Sequence, residues 1–413
     1  MNIEARLALA IGIALAACSA DDDAPRVTRR DSARILIVES RAPSWSETAA
    51  WTVDSAPRLS IGAAAGSEEY QFHLVRGLLR LPDGRIVVGD GGSGQLRFYD
   101  STGVFLNAIG RRGHGPGEFG QSVMRVWRGA RGDIVVEDGG NRRLNVFSEA
   151  GWFIRAVQLQ RLESSPAISP LGLFDDGSIL AVVTNPRRDD GAATGSPVEH
   201  PQLLYLHYAD NGLMLSQVRR MHGSPTYAYT HRGSLNRSRL PFRESALHAV
   251  LGNAVAFSTG LAHEVEIWSR DGEREGIFRW EGARRPQVKD VWERYRDESM
   301  KSLTPAGREA YRYFYSLDLP LPKRVPALER LLADADGNLW AKRYLLPWES
   351  KHSWDVLAPG GEWLGTVLTP SDLTVIQIGS DFVLGTHRDD LGVERVRLHA
   401  LRKPIERMRA AMR

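Results

Sequence analysis

The side chains of this chain that could hold a metal or move a proton are few and widely spaced. Of its 11 histidines, His73 and His248 are the two whose places suggest a shared site. Each falls where an innermost strand is expected to begin, on units that would face each other across a ring. Zinc catalysis usually wants three protein ligands and an open position. The other expected innermost strands, Val123–Trp127, Ile168–Phe174 and Thr374–Ile378, contain no His or Glu. Two imidazoles without a third donor predict no metal, and no other cofactor is indicated. His114, His231, His263, His352 and His387 show no ligand spacing and read as surface or turn residues. No Gly-x-Ser-x-Gly elbow is present and there is a single cysteine, so no nucleophile, and no catalytic residue, is assigned. Binding is better served. Arg343-Tyr344-Leu345-Leu346-Pro347-Trp348-Glu349 follows an expected strand. Arg343, Tyr344 and Trp348 are the ligand-binding candidates, because aromatics beside an arginine suit a carbohydrate, a peptide or an anion. Trp340, Trp348, Trp354 and Trp363 crowd the same region, most of them as expected filling between sheets.

The elements that would position these residues repeat. Leu81-Pro82-Asp83-Gly84-Arg85-Ile86-Val87-Val88-Gly89-Asp90 leads into Leu96-Arg97-Phe98-Tyr99 and a turn ending at Gly103. Ala130-Arg131-Gly132-Asp133-Ile134-Val135-Val136-Glu137-Asp138 leads into Leu144-Asn145-Val146-Phe147 and a turn ending at Gly151. Both glycine pairs, Gly84/Gly132 and Gly103/Gly151, are 48 positions apart. Several short strands in a period of roughly 40 to 50 residues describe a propeller blade. Asp83/Asp90 and Asp133/Asp138 recur with the repeat and therefore read as turn formers before acid–base groups.

Four looser units follow, opening near Asp175, Leu251, Asp334 and Val375, the third interrupted by a polar insertion from about Asn185 to Pro201. The sixth runs out before a fourth strand. Arg34–Val38 and Trp51–Val53 are otherwise unemployed, so an N-terminal strand is expected to complete it and close the ring, removing an open edge. From Gln287 to Phe314 the apolar residues fall at helical spacing, with Ser302 or Thr304 placed to cap a second helix at Pro305. The expected fold is all-β, a six-bladed β-propeller with a short helical insertion (about 286–317) between blades four and five.

Ile109-Gly110-Arg111-Arg112-Gly113-His114-Gly115-Pro116-Gly117-Glu118-Phe119 resembles the inter-blade turn of NHL-type six-bladed propellers. Gly337–Trp340, Trp354–Val356 and Trp363–Gly365 resemble uncharacterised bacterial propeller lipoproteins. The resemblance covers about Trp51 to Leu401 and implies the fold rather than an activity, since one propeller scaffold hosts unrelated functions. The glycine-rich turn is followed by a strand, whereas phosphate loops lead into a helix. Phe119 is expected to plug the space between blades and Glu118 to hold the loop amides. Some six-bladed propellers, the peptidylglycine amidating lyases and gluconolactonase-like enzymes among them, hold a metal at the channel mouth. A metal-dependent lyase or lactonase-type hydrolase is therefore the alternative to a binding module, and a structural subunit of an envelope complex is a third reading.

With 53 basic and 50 acidic residues, interleaved, the formal charge is only +3. Nucleic-acid binding, which needs clustered Lys and Arg, is not expected. Leu7–Ala17 is an apolar run of signal-peptide length, too short to span a bilayer. Leu15-Ala16-Ala17-Cys18 resembles the bacterial lipobox, which implies cleavage before Cys18 and its acylation. The lipid bilayer is thus the expected partner, with export to the cell envelope and, if the host has two membranes, attachment to the outer one. The expected layout is a signal peptide over 1–17, a flexible tether over 18–33, the propeller over 34–403 and a tail over 404–413. Metabolic labelling with a fatty-acid analogue should tag the wild type and not Cys18→Ser; a variant that still labels refutes the lipobox.

Overall fold

The computed structural model describes residues 25–120, 125–162, 168–185, 198–301 and 303–404. Cys18, the expected signal peptide, most of the expected insertion after Asn185 and the tail beyond Pro404 lie outside them. Strand after strand is joined to the next by a short turn, giving small antiparallel sheets read off in sequence order. Sheet 1 comprises Val75–Arg80, Ile86–Asp90, Gln95–Tyr99 and Phe105–Ile109; sheet 2 comprises Val126–Arg128, Ile134–Asp138, Arg143–Phe147 and Phe153–Val157. Sheet 3 is Ile168–Leu173, Ile179–Asn185, Gln202–Tyr208 and Met214–His222; sheet 4 is Leu247–Leu251, Ala254–Ser258, Glu264–Ser269 and Arg274–Trp280. Sheet 5 is Leu328–Ala333, Leu339–Arg343, His352–Leu357 and Trp363–Thr369; sheet 6 is Leu373–Ile378, Phe382–Arg388 and Glu394–Arg402 with short N-terminal strands. The repeating glycines turn the chain between strands. Gly103 and Gly151 have φ of +88° and +91°, a region that glycine enters without steric cost.

The core is divided among the sheet contacts. Sheets 1 and 2 enclose Leu79, Val87, Phe98, Phe119, Ile134 and Phe147, with Phe119 fully buried as its place in the turn predicts. Comparable clusters lie between sheets 2 and 3, 3 and 4, 4 and 5, 5 and 6, and, closing the sequence, 6 and 1. The innermost strands of successive sheets are likewise neighbours, including those of sheets 6 and 1. Second strands such as Ile86–Asp90 are buried along their whole length, which explains their unbroken apolar sequence. This is a β-propeller arrangement. Trp340 and Trp354 fill the wedge between sheets 5 and 6, and Trp363 that between 4 and 5. Their indole N–H groups are satisfied by Asp334, Thr369 and the Gly365 carbonyl.

The N-terminal segment differs from the expected tether. Val27–Ser32 is a strand, paired with Ile35–Ser40, which runs parallel to Arg274–Trp280 on the outer edge of sheet 4. Its charged stretch Arg29-Arg30-Asp31 faces solvent at a sheet edge, where charge discourages further pairing, so no alternation marked it as a strand. The chain then crosses to sheet 5, where the amides of Ser44 and Trp45 bond the carbonyls of Trp363 and Leu364 at 3.0 and 2.8 Å. It ends in sheet 6, where Thr52–Val53 and Leu59–Ile61 pair in turn with Glu394–Arg402. The outer edges of sheets 4, 5 and 6 therefore share one continuous covering strap.

A second layer is built from insertions. A small sheet, Val198–Glu199, Thr226–His231 and Ser234–Arg239, packs through Tyr227 and Tyr229 on two helices, α1 (Val288–Lys301) and α2 (Pro305–Tyr315). Thr304 caps α2, accepting from the Gly307 amide at 3.2 Å. Phe314 and Tyr315 bury the apolar side of α2 in this layer, and Val288 of α1 packs with Phe242, Val325 and Leu346.

Deleting residues through Val53 strips the strap from three sheets, so the whole domain should melt at a lower temperature in one transition. A truncated protein that melts with the wild type refutes the strap's role. Phe119→Ala should cost about 3–5 kcal/mol by emptying one wedge, measured by denaturant unfolding.

Candidate functional site

The start of each innermost strand lies beside the end of the second strand: Leu328 pairs with Arg343, and Val75 with Asp90. This end of the sheets forms the channel mouth, and it carries the candidates. Arg343 is there, but its guanidinium is engaged. It donates to both oxygens of the fully buried Asp355, at 3.0 and 2.7 Å, and to Thr366 at 2.9 Å. Trp280 and Thr366 also donate to that carboxylate. Tyr344 and Trp348 are half-buried beneath the helical layer: the Tyr344 ring lies 6.2 Å from Phe242, and the Arg294 guanidinium of α1 sits 4.4 Å over Trp348. Tyr344 and Trp348 join the second layer to sheet 5, while Arg343 is bonded within sheet 5.

His73 is exposed; its amide donates to Asp90 and its side chain rests on Gly92. His248 is half-buried on sheet 4, 3.5 Å from the Tyr205 hydroxyl. Burial, and then the nearby Arg125 cation, lower its pKa to about 4. Among the described residues no three His, Cys, Asp or Glu side chains are grouped to hold a metal ion. Asp90 and Asp138 act as turn and pairing groups. Asp90 accepts from the Gly92 amide and pairs with Arg97 at 3.2 Å, while Asp138 accepts from Gly120, Asn141 and Arg143.

A site not anticipated from the sequence lies between sheets 2 and 3. A cavity of about 180 Å³ is lined by Glu137, Arg142, Leu144, Leu159, Arg161, Ile168 and Ser169, among others. A second, of about 610 Å³, shares Arg142, Leu159 and Arg161 with it. Arg142 and Arg161 are exposed, and among the described residues neither side chain has an ion-pair or hydrogen-bond partner. Glu137 is the reverse. It sits on a strand otherwise buried on both faces, and its Oε2 accepts no hydrogen bond. The Arg125 guanidinium stands 3.4 Å away while also donating to the Pro170 carbonyl at 2.5 Å. Burial raises the Glu137 pKa, with Arg125 opposing.

The signal for this site was in the repeat. Counting back 48 positions, Arg125, Glu137 and Arg142 correspond to Gly77, Gly89 and Gly94 of the first unit. Gly77 and Gly89 are cross-strand partners in sheet 1, and the Glu137 amide bonds the Arg125 carbonyl at the same place in sheet 2. Gly94 has φ +71° and Arg142 keeps φ +54°, a conformation strained for a residue with a side chain. Three glycines of one unit are thus three charges in the next, all at one mouth.

No family model matches the chain, and no curated protein matches it. It is similar to the solved structure of a Bacteroides fragilis protein described as exported, at 13% identity over 89% of this chain and 99% of that one, with a TM-score of 0.47. A DUF4221-family member from Bacteroides vulgatus is similar at 10% identity over 86% and 100%, TM-score 0.47. The virginiamycin B lyase of Staphylococcus aureus is similar at 8% identity over 85% and 99%, TM-score 0.40.

His248 titrates near 6.5 when unfolded and near 4 when folded. The stability its neutral form contributes is complete above about pH 6.5 and is lost as the pH falls towards 4. Between those limits the wild type should lose up to about 3 kcal/mol more than His248→Gln, read from denaturant unfolding across the pH range. Parallel profiles for the two proteins refute the assignment.

Proposed function

We propose that the chain is a six-bladed, NHL-type propeller lipoprotein of the cell envelope that binds a small ligand at its channel mouth. Six successive sheets, each packed on the next and the last on the first, support the blade number. The turn at 110–119 supports the NHL kinship: Phe119 fills the wedge while Glu118 accepts from the Gly115 amide at 2.8 Å. Acylated Cys18 holds the protein on a membrane, the outer one where there are two. Among the described residues no helix is long and apolar enough to cross a bilayer.

The observation that carries the binding reading is the charged substitution of a glycine framework between sheets 2 and 3. A fold needs no buried carboxylate whose Oε2 is held by Arg125 at 3.4 Å but accepts no hydrogen bond, nor two exposed arginines beside it that have no partner among the described residues. The buried carboxylate carries a desolvation cost that a ligand donor would offset. Of the sheet 5 candidates, Tyr344 and Trp348 pack against the second layer, and Arg343 is bonded within its own sheet.

Thermal-shift screening against sugars, amino acids, peptides, fatty acids and nucleotides tests this reading. At least one class should raise the melting temperature of the wild type, lose that effect in the Arg142→Ala/Arg161→Ala double variant, and remain chemically unchanged by NMR. A panel with no binder, or a binder indifferent to the double variant, refutes the site; turnover of the binder refutes a purely binding role.

A further inference from the structure

The outer margin of the ring is finished in two ways. On sheets 4 and 5 the strap runs along it, and the strap's own free edge, Val27–Ser32, is blunted by Arg29, Arg30 and Asp31. On sheets 1, 2 and 3 the outermost strands are Phe105–Ile109, Phe153–Val157 and Met214–His222, and among the described residues no strand lies beside them. Each begins just after a turn glycine, Gly103, Gly151 or Gly212, at the end of the sheet away from the channel mouth. The residues that follow these glycines are Val104-Phe105-Leu106, Trp152-Phe153-Ile154 and Leu213-Met214-Leu215. The first and third of each triplet are 49–76% exposed, Trp152 the most. Single exposed apolar side chains are ordinary, but matching pairs on three neighbouring sheets make a patch, and such patches mark interaction surfaces.

Sheet 5 shows such a place when it is covered. After Gly361 come Glu362-Trp363-Leu364, so Leu364 matches Leu106, Ile154 and Leu215. Its carbonyl accepts from the Trp45 amide at 2.8 Å, Leu364 packs with Trp45, and the Trp45 ring lies against Gly365. Glu362, which matches Trp152, is paired with Arg29 of the strap at 2.9 Å. Sheet 4, whose margin the strap also covers, has Glu273 and Glu275 at the two places. Among these five sheets, both places are apolar only where the strap does not run.

From this contrast we infer that the outer margin of sheets 1–3 docks a partner protein through an extended segment, which adds a strand to Phe153–Val157 and lays apolar side chains on the patch. Sheet 2 is the middle of the three, and its edge is the most open. The Phe105 amide of sheet 1 donates to the Tyr70 hydroxyl at 2.9 Å, and the Met214 amide of sheet 3 to the Gln160 side chain at 3.1 Å. Along Phe153–Val157 no such bond occurs among the described residues. The one charge on this strand, Arg155, is spent on the carbonyl and carboxylate of Asp210, at 2.7 and 3.1 Å, and so does not blunt the edge. The edge itself selects the occupant. Its row of amides and carbonyls is satisfied by another backbone, whereas hydrocarbon offers them no partner, so a lipid surface would suit the side chains and not the strand. The strap is the pattern for the partner: an extended segment bearing tryptophan, continuing round the ring the interface already made on sheets 4 and 5. A second copy's strap is committed to its own sheets.

A synthetic peptide of residues 41–53, the stretch of strap that crosses sheet 5, is the probe. Fluorescence anisotropy measures its binding to the full chain carrying Cys18→Ser, so that no acyl group takes part. The peptide should bind at micromolar concentration, and the double variant Trp152→Ser/Ile154→Ser should weaken it at least tenfold while melting with the wild type, since both side chains are exposed. The same peptide N-methylated at alternate residues keeps its side chains and loses its strand donors, and should bind at least tenfold more weakly. Hydrogen exchange should show protection by the peptide at Phe153–Val157. No binding at millimolar peptide, binding indifferent to the double variant or to N-methylation, or protection confined to Trp363–Thr369 each overturns the inference. Phosphatidylcholine vesicles that sediment the chain only while Trp152 is present overturn it in favour of a lipid surface, and self-association abolished by the double variant overturns it in favour of a second copy.

Discussion

Each sheet of this protein is too small and too twisted to bury itself, so its middle strands depend on a neighbour on either side. A strand such as Ile86–Asp90, buried along its whole length, is stable only if sheets flank it on both faces. That requirement propagates around the molecule until the last sheet meets the first. The contact between sheets 6 and 1, where Ile61 and Val396 pack with Val75 and Val88, is what every other wedge relies on, because an unclosed series would leave two buried faces in water. The N-terminal strands at Thr52–Val53 and Leu59–Ile61 matter for that reason, despite their length.

The same geometry determines where polar groups are tolerated. At the mouth end of sheets 1 and 2, Asp90 pairs with Arg97 and Asp138 with Arg143, the carboxylates almost wholly buried. Sheet 5 has the equivalent pair with the signs exchanged, the arginine on the second strand and Asp355 on the third. Breaking such a pair leaves a buried charge without compensation, which is strongly destabilising. Arg343 belongs to this series. Its neighbours Tyr344 and Trp348 made it look like part of a recognition surface, and only the position of Asp355 reveals its structural partner.

Much of the architecture was legible because the turns demand particular residues. Gly84, Gly103, Gly132 and Gly151 hold left-handed conformations, and their 48-residue offset announces the repeat. Thr304 and Pro305 marked the start of α2 for similarly local reasons. The small sheet at Thr226–His231 and Ser234–Arg239 was not legible, since it is buried on one side only by aromatic contacts from helices far along the chain. Val27–Ser32 escaped because its residues answer to solvent rather than to a core. The cavity residues escaped for a different reason. Glu137 and Arg142 are ordinary amino acids in ordinary company, and they become conspicuous only against the glycines that occupy the same places one unit earlier.

The strap along sheets 4, 5 and 6 also sets how the molecule bears a load. Val27 sits opposite Ser40 at the open end of a hairpin whose six pairs run to Ser32 and Ile35. A pull on the N-terminal side of Val27 would therefore break those rungs singly, as a zip opens, and pay out about 20 Å of chain at about 3.3 Å per residue. The next strand, Ile35–Ser40, lies parallel to Arg274–Trp280, and there the same force would have to shear a row of bonds together. The hairpin is a weak first stage in series with a strong second one, so tension along the chain is absorbed at the margin of sheet 4 before it reaches the ring.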